Sequence, residues 1–195
     1  KNLNETLLNG FPLKRDETLL TDIAQVEPGQ MVKIDLKNKK IIKRNYWDFK
    51  IKVNSPSSIK ESDFDKILNS SIEKCLISDV KTCVTLSGGL DSSLITSIAS
   101  KQKKIDTFSI VFKNQKFDER DHALKISKYF KTNHHEVEIN DYSLDQIIEI
   151  IEKLDTPILD SSIIPSYILF KNLRDNNYKV AIGGDGGDEI FGGYN

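Results

Sequence analysis

Cysteine is scarce in this sequence: only Cys75 and Cys83 occur among 195 residues, with seven residues between them. That spacing is neither a disulfide framework nor a zinc pattern, so the pair reads as reduced, buried packing residues of a cytosolic protein. Long apolar runs are missing too. Nothing approaches the roughly 18 residues that a membrane-spanning helix requires. Neither charge sign is in excess, since 28 Lys and Arg stand against 29 Asp and Glu for a net charge of −1. General nucleic-acid and membrane-surface binders depend on clustered positive charge, and both classes are disfavoured. Lys1 is not an initiator methionine and no charged n-region, apolar h-region and cleavage site follow it. The chain is therefore expected to be cut from something longer. Repeats and low-complexity tracts are also lacking.

What is present falls into two patterns. Up to about residue 50 the sequence is mixed, with turn signals at Asn9-Gly10 and Pro28-Gly29. Residues 31–36 and 41–47 alternate apolar and polar around a polar link, Lys37 to Lys40, which predicts an antiparallel hairpin. Asn54-Ser55-Pro56-Ser57-Ser58 reads as a turn-rich linker, giving a boundary at 51–58 between a first segment, 1–50, and a second, 59–195.

Beyond the linker, helical and strand-like stretches alternate. Ser58-Ile59-Lys60-Glu61 predicts a capping box ahead of a helix of about five turns carrying Phe64, Ile67, Leu68, Ile72, Cys75 and Leu76. A strand at 82–86 follows, then a helix at 91–102, a strand from Ile105 to Phe112, and a helix capped by Asp118. Next come a strand at 134–139 and a second capping box, Ser143-Leu144-Asp145-Gln146, whose helix should bury Ile147, Ile148, Ile151 and Leu154. A helix from about Ser162 to Leu173 tolerates Pro165 in its first turn, and Tyr178 to Ile182 closes the series as a strand. This alternation predicts an α/β fold, a parallel sheet with helices on both faces, whose ligands bind beyond the carboxyl ends of the strands.

Two glycine-rich loops lie at such strand ends. In the first, Ser87-Gly88-Gly89-Leu90-Asp91-Ser92-Ser93, two glycines let a ligand reach the backbone, three serines offer hydroxyls, and a helix begins. These features describe a phosphate site. The lysine and spacing of the Walker P-loop are missing, which argues against kinase or GTPase chemistry. Asp91 is informative, because a carboxylate in an anion nest is repelled by phosphate unless a cation lies between them. It is expected to coordinate Mg²⁺, with helix N-capping as the alternative. The second loop, Gly183 to Glu189, holds four glycines and three carboxylates. Asp188 is the choice for a second Mg²⁺ ligand and Asp185 for an acid/base or substrate-orienting role, although spacing alone leaves the assignment of the two open. His134 and His135 are adjacent on a strand and point to opposite faces, so they are not expected to share a metal. His122 reads as a surface or packing residue. Asp155-Thr156-Pro157 and Asp160-Ser161-Ser162 suit capping, turn or ligand roles equally.

Ser87-Gly88-Gly89-Leu90-Asp91-Ser92 resembles the PP-loop of ATP pyrophosphatases, which cleave ATP between the α- and β-phosphates. Together with Phe117-Asp118-Glu119, Asn133-His134-His135-Glu136, Asp160-Ser161-Ser162-Ile163-Ile164-Pro165 and the stretch Gly184 to Tyr194, it closely resembles the synthetase domain of glutamine-hydrolysing asparagine synthetases. The likeness is strong over about 80–195. It is weaker over 7–49, where Gly10-Phe11-Pro12, Pro28-Gly29 and Tyr46-Trp47-Asp48 look like the end of a glutaminase domain. The resemblance implies an adenine nucleotide alpha hydrolase-like fold and a ligase that adenylates a carboxylate, with aspartate as default, before ammonia derived from glutamine displaces AMP. It also implies ATP and Mg²⁺ as cofactors, with pyrophosphate held by Ser87, Gly88, Gly89, Ser92 and Ser93, metal by Asp91 and Asp188, adenosine lined by Ile110, Gly183 and Gly184, and Asp185 near the acceptor. Gly183 departs from relatives that carry serine there, so only backbone contact is expected. The family's glutaminase cysteine and a later phosphate-handling lysine would lie outside this chain. Small-molecule partners, a cytoplasmic setting and room for a homodimer complete the expectation. The alternatives are another carboxylate acceptor, or a nucleotide-binding piece without turnover of its own.

Overall fold

The computed structural model describes residues 2–10, 14–48, 60–112, 118–139, 142–155 and 158–193. The chain divides into two compact units, Lys1–Ser58 with Lys153–Ser161, and Ile59–Glu152 with Ser162–Asn195. The expected linker at 51–58, and Phe117 and Tyr194 of the motifs, lie outside the described residues.

In the first unit, α1 (Asn2–Asn9) precedes a hairpin of β1 (Gln30–Asp35) and β2 (Lys40–Asn45), paired antiparallel from Gln30↔Asn45 to Asp35↔Lys40. Its turn is held by Asp35, whose Oδ1 accepts from the backbone N–H groups of Lys37 and Asn38 at 3.0 Å each. The alternating stretch therefore forms the hairpin that its pattern predicts.

The second unit is built on a four-stranded parallel sheet. Its strands are β3 (Thr82–Thr85), β4 (Asp106–Phe112), β5 (Asn133–Ile139) and β6 (Val180–Ile182), in the order β5-β4-β3-β6. Successive side chains of a strand point to opposite faces. Val84 accordingly joins a core with Ile72 and Leu76, Ile98 and Ala99 from two helices, and Ile105, while Cys83 joins another with Phe108, Val137, Leu169, Leu173 and Tyr178. The first core rests on α2 (Glu61–Cys75) and α3 (Leu90–Gln102), the second on α6 (Ile163–Asp175). Both faces of the sheet are thus covered by helices, the architecture that the alternation predicts. Each fully buried aliphatic side chain such as Val84 stabilises the sheet by roughly 1.5–3 kcal/mol.

Several local expectations are corrected. The helix α2 has 15 residues, about four turns rather than five, because the chain leaves helical geometry after Leu76. Lys60 occupies its N-cap without a side-chain capping bond, and Ser58 and Ile59 lie outside the described residues. Ile67 faces solvent and Cys75 is exposed; only Cys83 is a buried packing residue. The helix α4 (Arg120–Phe130) starts with Glu119 at its N-cap, and Asp118 instead accepts the Arg120 N–H in the preceding turn, at 3.1 Å. In α5 (Leu144–Ile151) the capping box of Ser143 and Gln146 is present, yet Ile150 is buried while Ile148 and Ile151 are exposed. The inward face is set by Ile147 and Ile150, not by Ile148 and Ile151, and Leu154 lies beyond the end of the helix.

The strand order positions the site. From β3 the chain moves outward to β4 and β5, and then returns to place β6 on the other side of β3. The reversal point therefore lies between β3 and β6, and their carboxyl ends carry the two glycine-rich loops.

Candidate functional site

A cleft of about 930 Å³ opens at that reversal point. The first loop enters it from β3. Leu86 keeps pairing with β4 through its N–H to Phe108 O at 2.7 Å, and the chain then turns at Gly88, whose φ is +89°. A Cβ at Gly88 would stand 2.7 Å from the Ala123 backbone nitrogen and 2.7 Å from His122 Cβ, so the turn is pressed against the start of α4. His122 thus has a packing role at an exposed position. Gly89 is the N-cap of α3 and supplies no side-chain capping bond. The first N–H groups of a 13-residue helix therefore remain available as donors at the cleft.

The hydroxyls of the loop are organised among themselves. Ser87 Oγ and Ser92 Oγ are 3.0 Å apart, the Gly89 N–H donates to Ser87 Oγ at 3.3 Å, and Ser92 Oγ donates to Gly89 O at 3.3 Å. Ser87, Gly89, Asp91 and Ser92 line the cleft. Ser93 and Gly88 are not among its described lining residues, and Ser93 Oγ is buried without a hydrogen-bond partner.

Asp91 sits in the first turn of α3, one residue inside the helix, so it is not the N-cap. Its side chain crosses to the second loop. A Cβ on Gly187 would lie 2.6 Å from Asp91 Oδ2, and one on Gly184 would lie 3.0 Å from Asp91 Cβ. These glycines make the space that the carboxylate fills. The second loop leaves β6 through Gly183 and Gly184, turns at Gly186 with φ +86°, and starts the short α7 (Gly187–Phe191). Asp185 folds back over Gly183, where a Cβ would meet its Oδ2 at 2.5 Å and Thr85 Oγ1 at 3.0 Å. Asp188 Oδ1 packs against Gly193. Gly184, Asp185 and Asp188 line the same cleft as Asp91, whereas Gly183 stands behind them.

The opposite wall comes from β4: Phe108, Ser109, Ile110 and Phe112, with Leu169 from α6. Of these, only Ile110 is expected from sequence. Leu86 and Phe112 carry no motif of their own, and their signal is position alone, at or beyond the carboxyl ends of the two central strands, whereas Phe108 and Ser109 lie within β4 and carry no sequence signal.

His134 and His135 diverge as adjacent strand residues must. His134 contacts Thr107 and Ser109 through its two ring nitrogens, at 2.9 and 3.1 Å, and burial lowers its pKa below the ordinary histidine value. His135 stacks on Phe108 with ring centroids 4.6 Å apart and contacts Asp106 Oδ1 at 3.3 Å. Both have structural partners, as their alternation on the strand predicts.

Electrostatics define what the cleft accepts. Its described lining includes five carboxylates, Asp91, Glu119, Asp185, Asp188 and Glu189, and no lysine or arginine. A polyanion would meet favourable N–H dipoles at α3 but net repulsion elsewhere. Hard oxygen donors without a competing ammonium group are the donor type that a magnesium-type cation takes. No group of three or more His, Cys, Asp or Glu converges among the described residues. Asp91 and Asp188 both line the cleft, Asp91 with its carboxylate against Gly187 and Asp188 with its Oδ1 against Gly193.

Residues 63–195 match the protein family described as asparagine synthase. An asparagine synthetase [glutamine-hydrolyzing] of Bacillus subtilis is 32% identical over 184 residues, covering 91% of this chain and 28% of that protein. One from Zea mays is 33% identical over 144 residues, covering 66% of this chain and 24% of its own length. The chain thus spans about a third or less of the curated relatives it matches. Among solved structures, an NH3-dependent NAD synthetase from Campylobacter jejuni aligns at 19% identity with a TM-score of 0.46, over 69% of this chain and 60% of that one.

Proposed function

This chain belongs to the asparagine synthase family, and from that premise we propose that it forms the nucleotide half of an ATP-dependent amide-forming ligase. Aspartate is the proposed carboxylate and glutamine the proposed source of ammonia, in keeping with the names of the relatives. The observation that carries the reading is the pairing of an uncapped helix start on α3 with a cleft lined by carboxylates and no described cation. An anion and a divalent cation bound together satisfy both features, and neither does so alone.

The proposed chemistry is attack of the substrate carboxylate on the α-phosphorus of ATP, departure of pyrophosphate, and displacement of AMP by ammonia. In the first step negative charge develops on the departing pyrophosphate. The N–H groups at the start of α3 and the hydroxyls of Ser87 and Ser92 are already organised at the cleft, so little reorganisation opposes that charge. Asp91 and Asp188 would hold Mg²⁺, which supplies charge neutralisation of the phosphate oxygens when bound. Asp185, set beside Gly183 at the lip of β6, is proposed to accept a proton from the ammonia nucleophile or to orient it. Ile110, with Phe108 and Phe112, offers the apolar wall for a nucleobase. We retain the first segment, 1–50, as the end of a glutaminase-type domain, 51–58 as linker and 59–195 as the nucleotide-binding part.

The test is pyrophosphate release by the full protein given Mg-ATP, aspartate and ammonia, with loss of the signal in Asp91→Ala. Release with other carboxylates and not with aspartate would overturn the substrate and spare the reaction class. Absence of pyrophosphate with every carboxylate tried would overturn the ligase reading itself.

A further inference from the structure

A second cavity, of about 340 Å³, lies between the end of β5, α5 and α6, and none of its described lining residues belongs to the first cleft. Its size falls within the roughly 300–1,000 Å³ of small-molecule sites. The helical repeat builds two of its walls: Glu149 and Ile150 are neighbours on α5, and Ile164, Tyr167, Ile168 and Lys171 form one stripe along α6. Leu169 of the same helix lines the first cleft, so α6 serves both. Ile139 at the end of β5 and Ile150 are both buried, and with Ile164 and Ile168 they make the cavity apolar in its depth.

Charged groups bridge the two wall helices. Glu149 Oε1 on α5 accepts the Tyr167 hydroxyl from α6 at 3.0 Å, which orients the carboxylate, and Glu149 Oε2 is 3.8 Å from Lys171 Nζ, also on α6. The second contact is too long for a hydrogen bond. Its side chains are 42% and 46% exposed, so the ion pair contributes little and opens at small cost. A carboxylate and an ammonium group this close together, beside an apolar cavity, match a molecule that carries its own ammonium and carboxylate on one carbon and is otherwise apolar. A simple amine or a simple acid would match only one of the two. Aspartate is a poor match as well, because its second carboxylate would enter a cavity lined by isoleucines and by Glu138 and Glu149.

We propose that this cavity is a binding site for a free α-amino acid with a branched aliphatic side chain. Glu149 takes the ammonium group, Lys171 takes the carboxylate, and Ile139, Ile150, Ile164 and Ile168 take the side chain. Binding exchanges one loose ion pair for two charge-assisted contacts and removes apolar surface of both ligand and cavity from water. The site goes beyond the nucleotide reading above and does not rest on it.

The experiment titrates the full protein, labelled at its isoleucine methyl groups, with L-leucine and follows the methyl NMR spectrum. The methyls of Ile139, Ile150, Ile164 and Ile168 should shift while Ile110 of the first cleft does not, with a Kd of about 0.1–1 mM for so small a ligand. Isoamylamine, which lacks the carboxylate, isocaproate, which lacks the ammonium group, and aspartate should each bind about tenfold more weakly or worse. Lys171→Met and Glu149→Gln, both at partly exposed positions, should each weaken leucine about tenfold. Equal binding of the amine or the acid would overturn the pairing with Glu149 and Lys171, as would undiminished leucine affinity in the two variants. A shift of Ile110 alone would move leucine to the first cleft and overturn the site. No shift at about 10 mM leucine would overturn the proposal and leave the nucleotide reading untouched.

Discussion

Gly187 leaves room for Asp91 and for nothing else. A methyl group there would meet a carboxylate oxygen at 2.6 Å, so Gly187→Ala must turn Asp91 out of its place. The expected result is at least a tenfold loss of Mg-ATP affinity with an unchanged circular dichroism spectrum; unaltered affinity would remove Asp91 from the proposed metal site. Gly88 is constrained differently. Its neighbours are backbone atoms of α4, and its φ of +89° disfavours a side chain, so Gly88→Ala should destabilise the larger unit by about 1–3 kcal/mol or more in urea titration. The cysteines separate by burial. Cys75 is exposed, while Cys83 is fully buried with its thiol pushed up to about 12 by that burial, so iodoacetamide should label only Cys75 in the native protein. The loop residues Ser87 to Ser92 were legible because their chemistry is local: glycines, hydroxyls and a helix start lie within a few positions of one another. Ser109 was not legible, because a serine inside a strand has no signature until the sheet brings it to the edge of a cleft.

At the scale of elements, α5 separates what a sequence encodes from what it leaves undecided. Its capping box is local, and both bonds form, Gln146 N–H to Ser143 Oγ at 3.3 Å and Ser143 N–H to Gln146 Oε1 at 2.9 Å. Ser143→Ala should cost about 1 kcal/mol. The buried face of the same helix could not be chosen from periodicity, because Ile147, Ile148, Ile150 and Ile151 put apolar side chains on most of its circumference. Packing selects Ile150, at 3% exposure, over Ile148 at 44%. Ile150→Ala is expected to cost roughly 2–5 kcal/mol and Ile148→Ala under about 1 kcal/mol in the same chemical denaturation series. The helix α2 makes the same point, since Cys75 and Ile67 fit a helical repeat and still face outward.

For the molecule as a whole, the half-buried His134 links stability to pH. Its folded pKa lies below the ordinary 6.5, with burial as the main cause, so folded and unfolded chains are equally deprotonated well above that value. As pH falls below 6.5 the unfolded chain takes up the proton first, and stability is lost until the folded pKa is passed. Thermal unfolding should therefore shift to lower temperature on the acid side of 6.5, and His134→Gln should flatten that slope; an identical slope in the variant would assign the effect to other groups. The alternation of strands and helices, the hairpin and the first glycine-rich loop follow from the sequence by itself, because periodicity, turn residues and caps act over a few residues. Tertiary structure alone decided that β6 lies beside β3, that Asp91 settles against Gly184 and Gly187 from the other loop, and that Ser109 meets His134 from the neighbouring strand. The reason is physical: strand order and side-chain partners are set by contacts between segments far apart in the chain, where burial leaves each group few partners, and no local pattern records which partner that is.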